Sequence, residues 1–329
     1  EALRPKVFAL TSSAWLVPSL LGPLVSGLLT EHASWRWVFF GLVPFVLVGS
    51  ALVLPIIAAM RRPPRHDRAL GDRSRIVRAV LVGLGVAAIE EAGQHPSPAL
   101  VALGVVGAGA LAWGIVGLVP AGTFRVAGGV AAPIALRGLL AGSLFGAESL
   151  IPLMLTTQHG YGATDAGLPL TVAGVSWAFG SWVSGRSLPG DAALRRVRLL
   201  RWGFSCDAAA VALVGVTALS AVPGWLAYPA WLLAGLGAGF AMPTLSVLLL
   251  GHTNDRDRGR DSAALQLADV TTSALTTGLA GILVAAAARG SLGYTSAFVA
   301  LDATLVVVAV AGVGLAGRTR RPIAGSPPG

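Results

Sequence analysis

The chain has 329 residues, of which 54% are hydrophobic and only 12% charged, whereas about 25% of the residues in an ordinary soluble domain are charged. This balance excludes a soluble protein and predicts an all-α polytopic membrane protein. The single cysteine, Cys206, excludes an internal disulfide and a cysteine-rich metal site, and the five histidines are scattered without ligand spacing. We therefore expect no cofactor and no metal.

Ten segments of the sequence are long and apolar enough to cross a bilayer core of about 30 Å, which needs roughly 20 helical residues. Charged and turn-forming residues separate them, as at 61–75. The third segment is the weakest, because Arg78, Glu90 and Glu91 interrupt it. In chain order the segments are 7–29, 36–60, 76–94, 98–119, 130–155, 166–185, 197–219, 225–250, 262–287 and 294–316.

The basic residues predict the orientation of these spans. If the first residue is cytoplasmic, 22 of the 24 lysines and arginines lie in inside loops or at the inside ends of spans, and only Arg36 and Arg289 lie outside. This asymmetry predicts a multi-pass protein of the plasma membrane with both termini of the chain in the cytoplasm. It also accounts for the net charge of +9 without nucleic acid. Merging the third and fourth spans into one re-entrant unit would keep the same parity.

The first span combines small residues with proline. Gly22 and Gly27 permit close approach of another helix, and Pro23 removes a backbone donor, although ordinary tight packing would favour the same residues. The stretch GPLVSG at 22–27 resembles the end of the antiporter motif in the fifth helix of drug:proton antiporters of the major facilitator superfamily. Other residues stand at three glycine positions of that motif: Ala9, Pro18 and Ser26.

The resemblance continues along the chain in the family's order. It implies a helical bundle of the family's 14-span branch that lacks the first four helices, with about ten transmembrane helices present. It rests on SWRWVFFGLVPF at 34–45, AESLIPLML at 147–155, GATDAGLPLT at 162–171, GSWVSGR at 180–186 and RGRDSAALQLADVTTSALTTGLAG at 258–281.

One of these stretches is similar to the family's cytoplasmic loop motif. The resemblance implies that Gly180, Gly185 and Arg186 belong to a cytoplasmic gate that latches helices together. Plain positive-inside charge would favour the same arginine, so this alternative stays open.

The resemblance and the basic linker together divide the chain into five parts. We expect the first two spans to lack their usual neighbours, which would leave Gly22 and Gly27 on an exposed surface. The full-length protein would be monomeric. The parts are 1–60, the last two helices of the N-terminal bundle; 61–75, a basic cytoplasmic linker; 76–119, an extra central helix pair; 120–317, a C-terminal six-helix bundle; and 318–329, a cytoplasmic tail.

Four carboxylates fall within predicted spans: Glu148, Asp207, Asp269 and Asp302. Ionising an acid in mid-bilayer costs about 3 kcal/mol or more, so such an acid usually faces water or a partner. Each is a candidate for proton coupling, and a neutral structural hydrogen-bond donor is the alternative. Glu148 is the strongest, because it lies near the midplane and Pro152 leaves its carbonyl without the usual donor.

Two further observations bear on these acids. Asp207 lies near the inside end of its span, where Arg198 or Arg201 could pair with it. Asp269, the predicted companion of Glu148, belongs to a polar stripe on one helix face. The other members of the stripe are cavity-lining candidates: Gln266, Ser273 and Thr276.

The intramembrane acids, the polar stripe and the resemblance predict a secondary active transporter. It would export small amphipathic or cationic compounds in exchange for protons by alternating access, as multidrug efflux proteins do. Its partners would be a small-molecule substrate, protons and the lipid bilayer. Two alternatives are a non-transporting membrane scaffold or sensor and a membrane-embedded lipid-modifying enzyme. The first would need a soluble binding domain, and the second would need acids and histidines clustered at the membrane interface.

Overall fold

The computed structural model describes residues 22, 25–59, 69–186 and 191–320, and within these ranges the chain is helical without strands. A helical segment at 25–32 precedes eleven α-helices. These are α1 (Trp35–Phe40), α2 (Leu42–Ala59), α3 (Ala69–Gln94), α4 (Pro98–Leu118), α5 (Ala131–Glu148), α6 (Ile151–His159), α7 (Ala163–Gly185), α8 (Ala192–Thr217), α9 (Ala227–His252), α10 (Arg258–Ala288) and α11 (Tyr294–Leu315).

Seven helical segments of the described residues are long and apolar enough to cross a membrane. Helix α3 falls outside this group because of its charged residues, and α7 is rich in glycine, serine and threonine. A multi-pass helical bundle is therefore confirmed, whereas the number of ten spans stays a prediction. The seven segments are Trp35–Ala59, Pro98–Leu118, Ala131–His159, Ala192–Thr217, Gly224–His252, Arg258–Ala288 and Tyr294–Arg320.

The boundaries of three predicted parts differ from those of the helices. Helix α3 begins at Ala69, so residues 69–75 of the predicted linker are helical, because no proline follows Pro64 in that stretch. The third and fourth predicted spans form two separate helices, α3 and α4, joined at 95–97. Whether this pair crosses the membrane twice or forms one re-entrant unit stays a prediction. The 3-10 helix Ala316–Arg320 extends the last span into the predicted tail.

Close backbone contacts hold α7, α8 and α9 together. A Cβ atom at Gly239 would lie 2.8 Å from Cα of Gly180 on α7, and one at Gly237 would lie 2.5 Å from the carbonyl oxygen of Gly203 on α8. Alternate glycines of α9 thus face two different neighbours. Lipid tails are as apolar as leucine, so helices in a bilayer associate through such van der Waals contacts. Tight packing accounts for the glycines at 235–239.

Helix α5 packs against α10 through a second row of small residues. Gly138 and Gly142 lie against the side chain of Thr272, and Gly146 lies against Thr276. On its other side α10 meets α3, where the side chain of Glu90 contacts Gly278. The predicted central helix pair therefore packs on the outside of the C-terminal bundle through α10.

Candidate transport site

The helix that carries Glu148 is broken directly after that residue. The single predicted span 130–155 forms two helices, because α5 ends at Glu148 and α6 starts at Ile151. Pro152 in the first turn of α6 has no N–H to donate, so its position accounts for the break. Within the described residues, the partly buried Glu148 carboxylate has no hydrogen bond or ion pair. Glu148 is the last residue of α5, and its role in proton coupling stays a prediction.

A cavity of about 290 Å³ approaches this break from the predicted outer side. We call it the outer cavity; it lies between segment 25–32, α6 and α7, and is lined by Ser26, Gly27, Thr30, Pro152, Ala163, Gly167 and Leu170. Pro152 is about one helical turn from Glu148 in sequence. Glu148 itself is not among the residues that line the outer cavity, and Pro152 is the lining residue nearest to it in sequence.

Asp269 forms an ion pair with Arg137 rather than with a second acid. Its Oδ2 atom accepts hydrogen bonds from Nε and Nη2 of Arg137 at 2.7 and 2.6 Å, and the two side chains are only 13% and 15% exposed. Arg137 also donates to the carbonyl oxygen of Met242 on α9, at 3.3 Å. The arginine thus joins α5, α9 and α10. Because Arg137 and Glu148 are about 16 Å apart along α5, Asp269 is not a close companion of Glu148.

The polar stripe on α10 divides between two environments. Gln266 and Arg137 line a cavity of about 200 Å³ between α5, α9 and α10, which we call the inner cavity. The Ser273 hydroxyl instead donates to the backbone of Asp269 in its own helix. Thr276 likewise bonds within α10 and packs against Gly146. Of the three cavity-lining candidates, Gln266 therefore lines a cavity in the described structure. The hydroxyl groups of Ser273 and Thr276 bond to the backbone of their own helix.

Asp207 and Asp302 are buried in the C-terminal bundle without an ion pair in the described structure. The two carboxylate oxygens of Asp207 on α8 are fully buried without a hydrogen-bond partner, although Ser143 lies beside them. Asp302 on α11 is 5% exposed and packs against Gly215. The suggested pairing of Asp207 with an arginine is wrong, because the candidate arginines, Arg198 and Arg201, lie on the exposed face of α8.

The antiporter-motif residues have different surroundings. Gly22 has no atom within 4 Å of the position where a Cβ would stand, as expected for an exposed site. Gly27 is buried, and a Cβ there would lie 2.8 Å from Cα of Thr164 on α7. The expected exposure of Gly27 is therefore wrong, because α7 covers it. Pro23 lies outside the described residues.

The predicted gate residues are only partly brought together. Gly180 is buried at the crossing of α7 with α9. Gly185 has open space around it, and the Arg186 guanidinium stacks on Trp182 in the same helix, 3.4 Å from the ring centre. Arg195 donates to the carbonyl groups of Val183 and Ser184 at the end of α7. No contact of Arg186 across bundles appears in the described residues, so the gating role stays a prediction.

Two features of the site escaped sequence reasoning. Arg137 was assigned to the basic inside ends of the spans, although an arginine seven residues into an apolar helix could have indicated a buried partner. The second feature is Glu31, whose carboxylate accepts hydrogen bonds from the amide and hydroxyl of Thr164 at 2.8 and 2.7 Å. These bonds hold the pKa of Glu31 below its usual value and connect segment 25–32 to α7.

Comparison with known proteins adds an independent line of evidence. A model of the Major Facilitator Superfamily matches residues 1–269. A probable multidrug-efflux transporter of Mycobacterium tuberculosis is 26% identical over 342 residues, which include 93% of this chain and 68% of that protein. An efflux pump of Aspergillus brasiliensis is 28% identical over 273 residues, with 75% of this chain and 46% of the pump covered.

A shorter match concerns a third protein. An MFS-type transporter of the acurin A biosynthesis cluster in Aspergillus aculeatus is 35% identical over 80 residues, which cover 23% of this chain and 14% of that transporter. The chain therefore spans only part of the length of the relatives that it matches.

Proposed function

Because the chain belongs to the Major Facilitator Superfamily, we propose that it acts in secondary active export of small amphipathic or cationic compounds, driven by protons through alternating access. Membership of this family implies a transporter rather than an enzyme. The names of two relatives, a probable multidrug-efflux transporter and an efflux pump, support export as the direction of transport. The coupling ion, the substrate class and the plasma-membrane location belong to the proposal.

The observation that carries the proposal is the carboxylate of Glu148 at the broken helix, which has no partner among the residues that the structure describes. A carboxyl group in this position can stay neutral while apolar side chains surround it, and it can ionise when water reaches it. In this proposal, water that enters the outer cavity, which has Pro152 in its wall, would reach Glu148 from one side. A change of access from one side of the membrane to the other would then let Glu148 release its proton on the opposite side.

Substitution of Glu148 by Gln tests this role in the full-length protein embedded in the membrane. Glutamine keeps the size and polarity of the side chain but cannot exchange a proton. We expect Glu148→Gln to abolish the export of ethidium driven by a pH gradient in energised inside-out vesicles. Ethidium binding and thermal stability should stay close to those of the wild type.

A matched control is Glu91→Gln, because Glu91 lies at the exposed end of α3 and its carboxylate is 3.2 Å from the imidazole of His95. This control should export ethidium as the wild type does. Unchanged pH dependence of export in Glu148→Gln would show that the carboxylate has a structural role only.

A further inference from the structure

The inner cavity is lined by four polar side chains that can donate hydrogen bonds and by three leucines. Its wall consists of Arg137 from α5, Ser246, Leu249 and Leu250 from α9, and Ser262, Leu265 and Gln266 from α10. No acidic residue is among these lining residues in the described structure. Asp269 accepts hydrogen bonds from Arg137 but is not itself part of the cavity wall.

The Arg137 guanidinium has donors left for a ligand. Of its five N–H groups, Nε and one on Nη2 bind Oδ2 of Asp269, and one on Nη1 binds the carbonyl oxygen of Met242. Two N–H groups thus make no hydrogen bond to the described residues. Ser262 and Gln266 also have no hydrogen-bond partner in the described structure and add a hydroxyl and an amide donor at the same cavity.

We infer that the inner cavity binds the acceptor group of an amphipathic solute, such as a carboxylate, with the aliphatic part of the solute against Leu249, Leu250 and Leu265. This inference rests on the proposed function, since it names the class of solute that the transporter would carry. A planar carboxylate suits the fork of an arginine, and its hydrogen bonds to a charged donor are stronger than those to neutral donors. A cationic solute would meet Arg137 without an acid in the cavity wall.

The test measures the affinity of the chain for hexanoate in phosphatidylcholine nanodiscs. Hexylammonium, which has the same chain length and the opposite charge, is the comparison ligand. Gln266→Glu places a carboxylate among the donors without removing the Arg137–Asp269 pair. We expect it to weaken hexanoate binding about tenfold or more, because like charges then face each other. The wild type should bind hexanoate more tightly than hexylammonium.

The matched control is Gln158→Glu, the same change in α6, where Gln158 accepts a hydrogen bond from Thr295 far from the inner cavity. Its hexanoate affinity should stay within about twofold of the wild type, as expected for independent sites. Thermal unfolding of each variant shows whether it is folded. Equal hexanoate binding by the wild type and Gln266→Glu, or tighter binding of hexylammonium by the wild type, would overturn the inference.

A lipid phosphate shares the acceptor chemistry of a carboxylate, so a second arm replaces phosphatidylcholine by phosphatidylglycerol. Displacement of hexanoate by the anionic lipid would assign the cavity to a headgroup and refute a solute site. Ethidium export measured on the same protein separates the two proposals. Export without hexanoate binding refutes only the inference, and hexanoate binding without export of either compound refutes only the proposed function.

Discussion

The span Trp35–Ala59 is the most apolar of the seven candidate spans, yet none of the residues of α1 and α2 is buried in the described structure. The span Ala131–His159 is less apolar, yet most of it is buried. The second span carries Gly138, Gly142 and Gly146 at its contact with α10, whereas Gly49 of α2 has open space around it. In a bilayer, apolar side chains suit lipid and protein equally well, so apolar character alone does not tell which of the two spans is packed, whereas the close contacts of the second span accompany its burial.

The largest expected difference between the two spans concerns their arginines. Arg137→Leu would leave Asp269 buried without its partner, and we expect a loss of about 3 kcal/mol of unfolding free energy. Arg36→Leu in α1 removes an exposed arginine that lies over the Trp35 ring, and should cost less than about 0.5 kcal/mol. Unfolding of the purified protein in detergent measures both effects.

The double variant Arg137→Leu/Asp269→Leu supplies the control for this comparison. It removes both charges, so it should recover most of the stability that Arg137→Leu loses. Equal stability of Arg137→Leu and Arg36→Leu would show that the ion pair contributes no more than a surface charge.

The second-largest expected difference compares a glycine of another packed span, Gly224–His252, with a glycine of α2. Gly239→Val would push a side chain against the backbone of Gly180 at the α7–α9 crossing, and should destabilise the protein by roughly 2 kcal/mol. Gly49→Val meets open space and should change stability by less than about 0.5 kcal/mol. Thermal unfolding in detergent measures the pair. Similar melting temperatures for the two variants would contradict the close packing of α9.

The smallest expected effect concerns Glu31, which links segment 25–32 to the C-terminal bundle. Hydrogen bonds from Thr164 lower the pKa of Glu31, so their stabilising effect is complete above the ordinary carboxyl pKa. This contribution is lost as the pH falls through the lowered pKa. We expect the Thr164 amide to exchange hydrogen more slowly in the wild type than in Glu31→Gln at neutral pH, and equally fast in strong acid.

Hydrogen-exchange mass spectrometry of the two proteins at matched pH values measures this difference. Glu31→Gln is the reference at each pH, because the intrinsic exchange rate of an amide also changes with pH. Equal protection of Thr164 in both proteins at neutral pH would show that the carboxylate does not hold the two regions together.

Much of the fold was predictable, because the length of apolar segments sets the spans of a bilayer protein. The predicted segments coincide closely with α4, α9, α10 and α11. Pro152 could have indicated the break after Glu148, but segment 130–155 was predicted as one continuous span. The start of α3 was missed because charged residues suit both a helix in water and a loop.

The candidate site was less predictable than the fold. Sequence reasoning selected Glu148, Asp207, Asp269 and Asp302 as acids in apolar surroundings, and three of them have no ion-pair partner in the described structure. It could not pair Asp269 with Arg137, which lies 132 positions earlier in the chain. Nor could it show that Thr164 covers Gly27. Both contacts join segments that are far apart in the sequence, and the sequence does not show which segments lie next to each other in space.

The sequence by itself determined that the chain is a multi-pass helical membrane protein, that it resembles the major facilitator superfamily, and which acids stand within apolar helices. These properties depend on local composition, since a bilayer selects each helix by its own apolar length. Only the tertiary structure decided that Arg137 binds Asp269, that Glu148 has no ion pair within the described residues, and that polar side chains and leucines meet at the inner cavity. Those properties depend on how helices pack against one another, which close contacts between small and polar residues control.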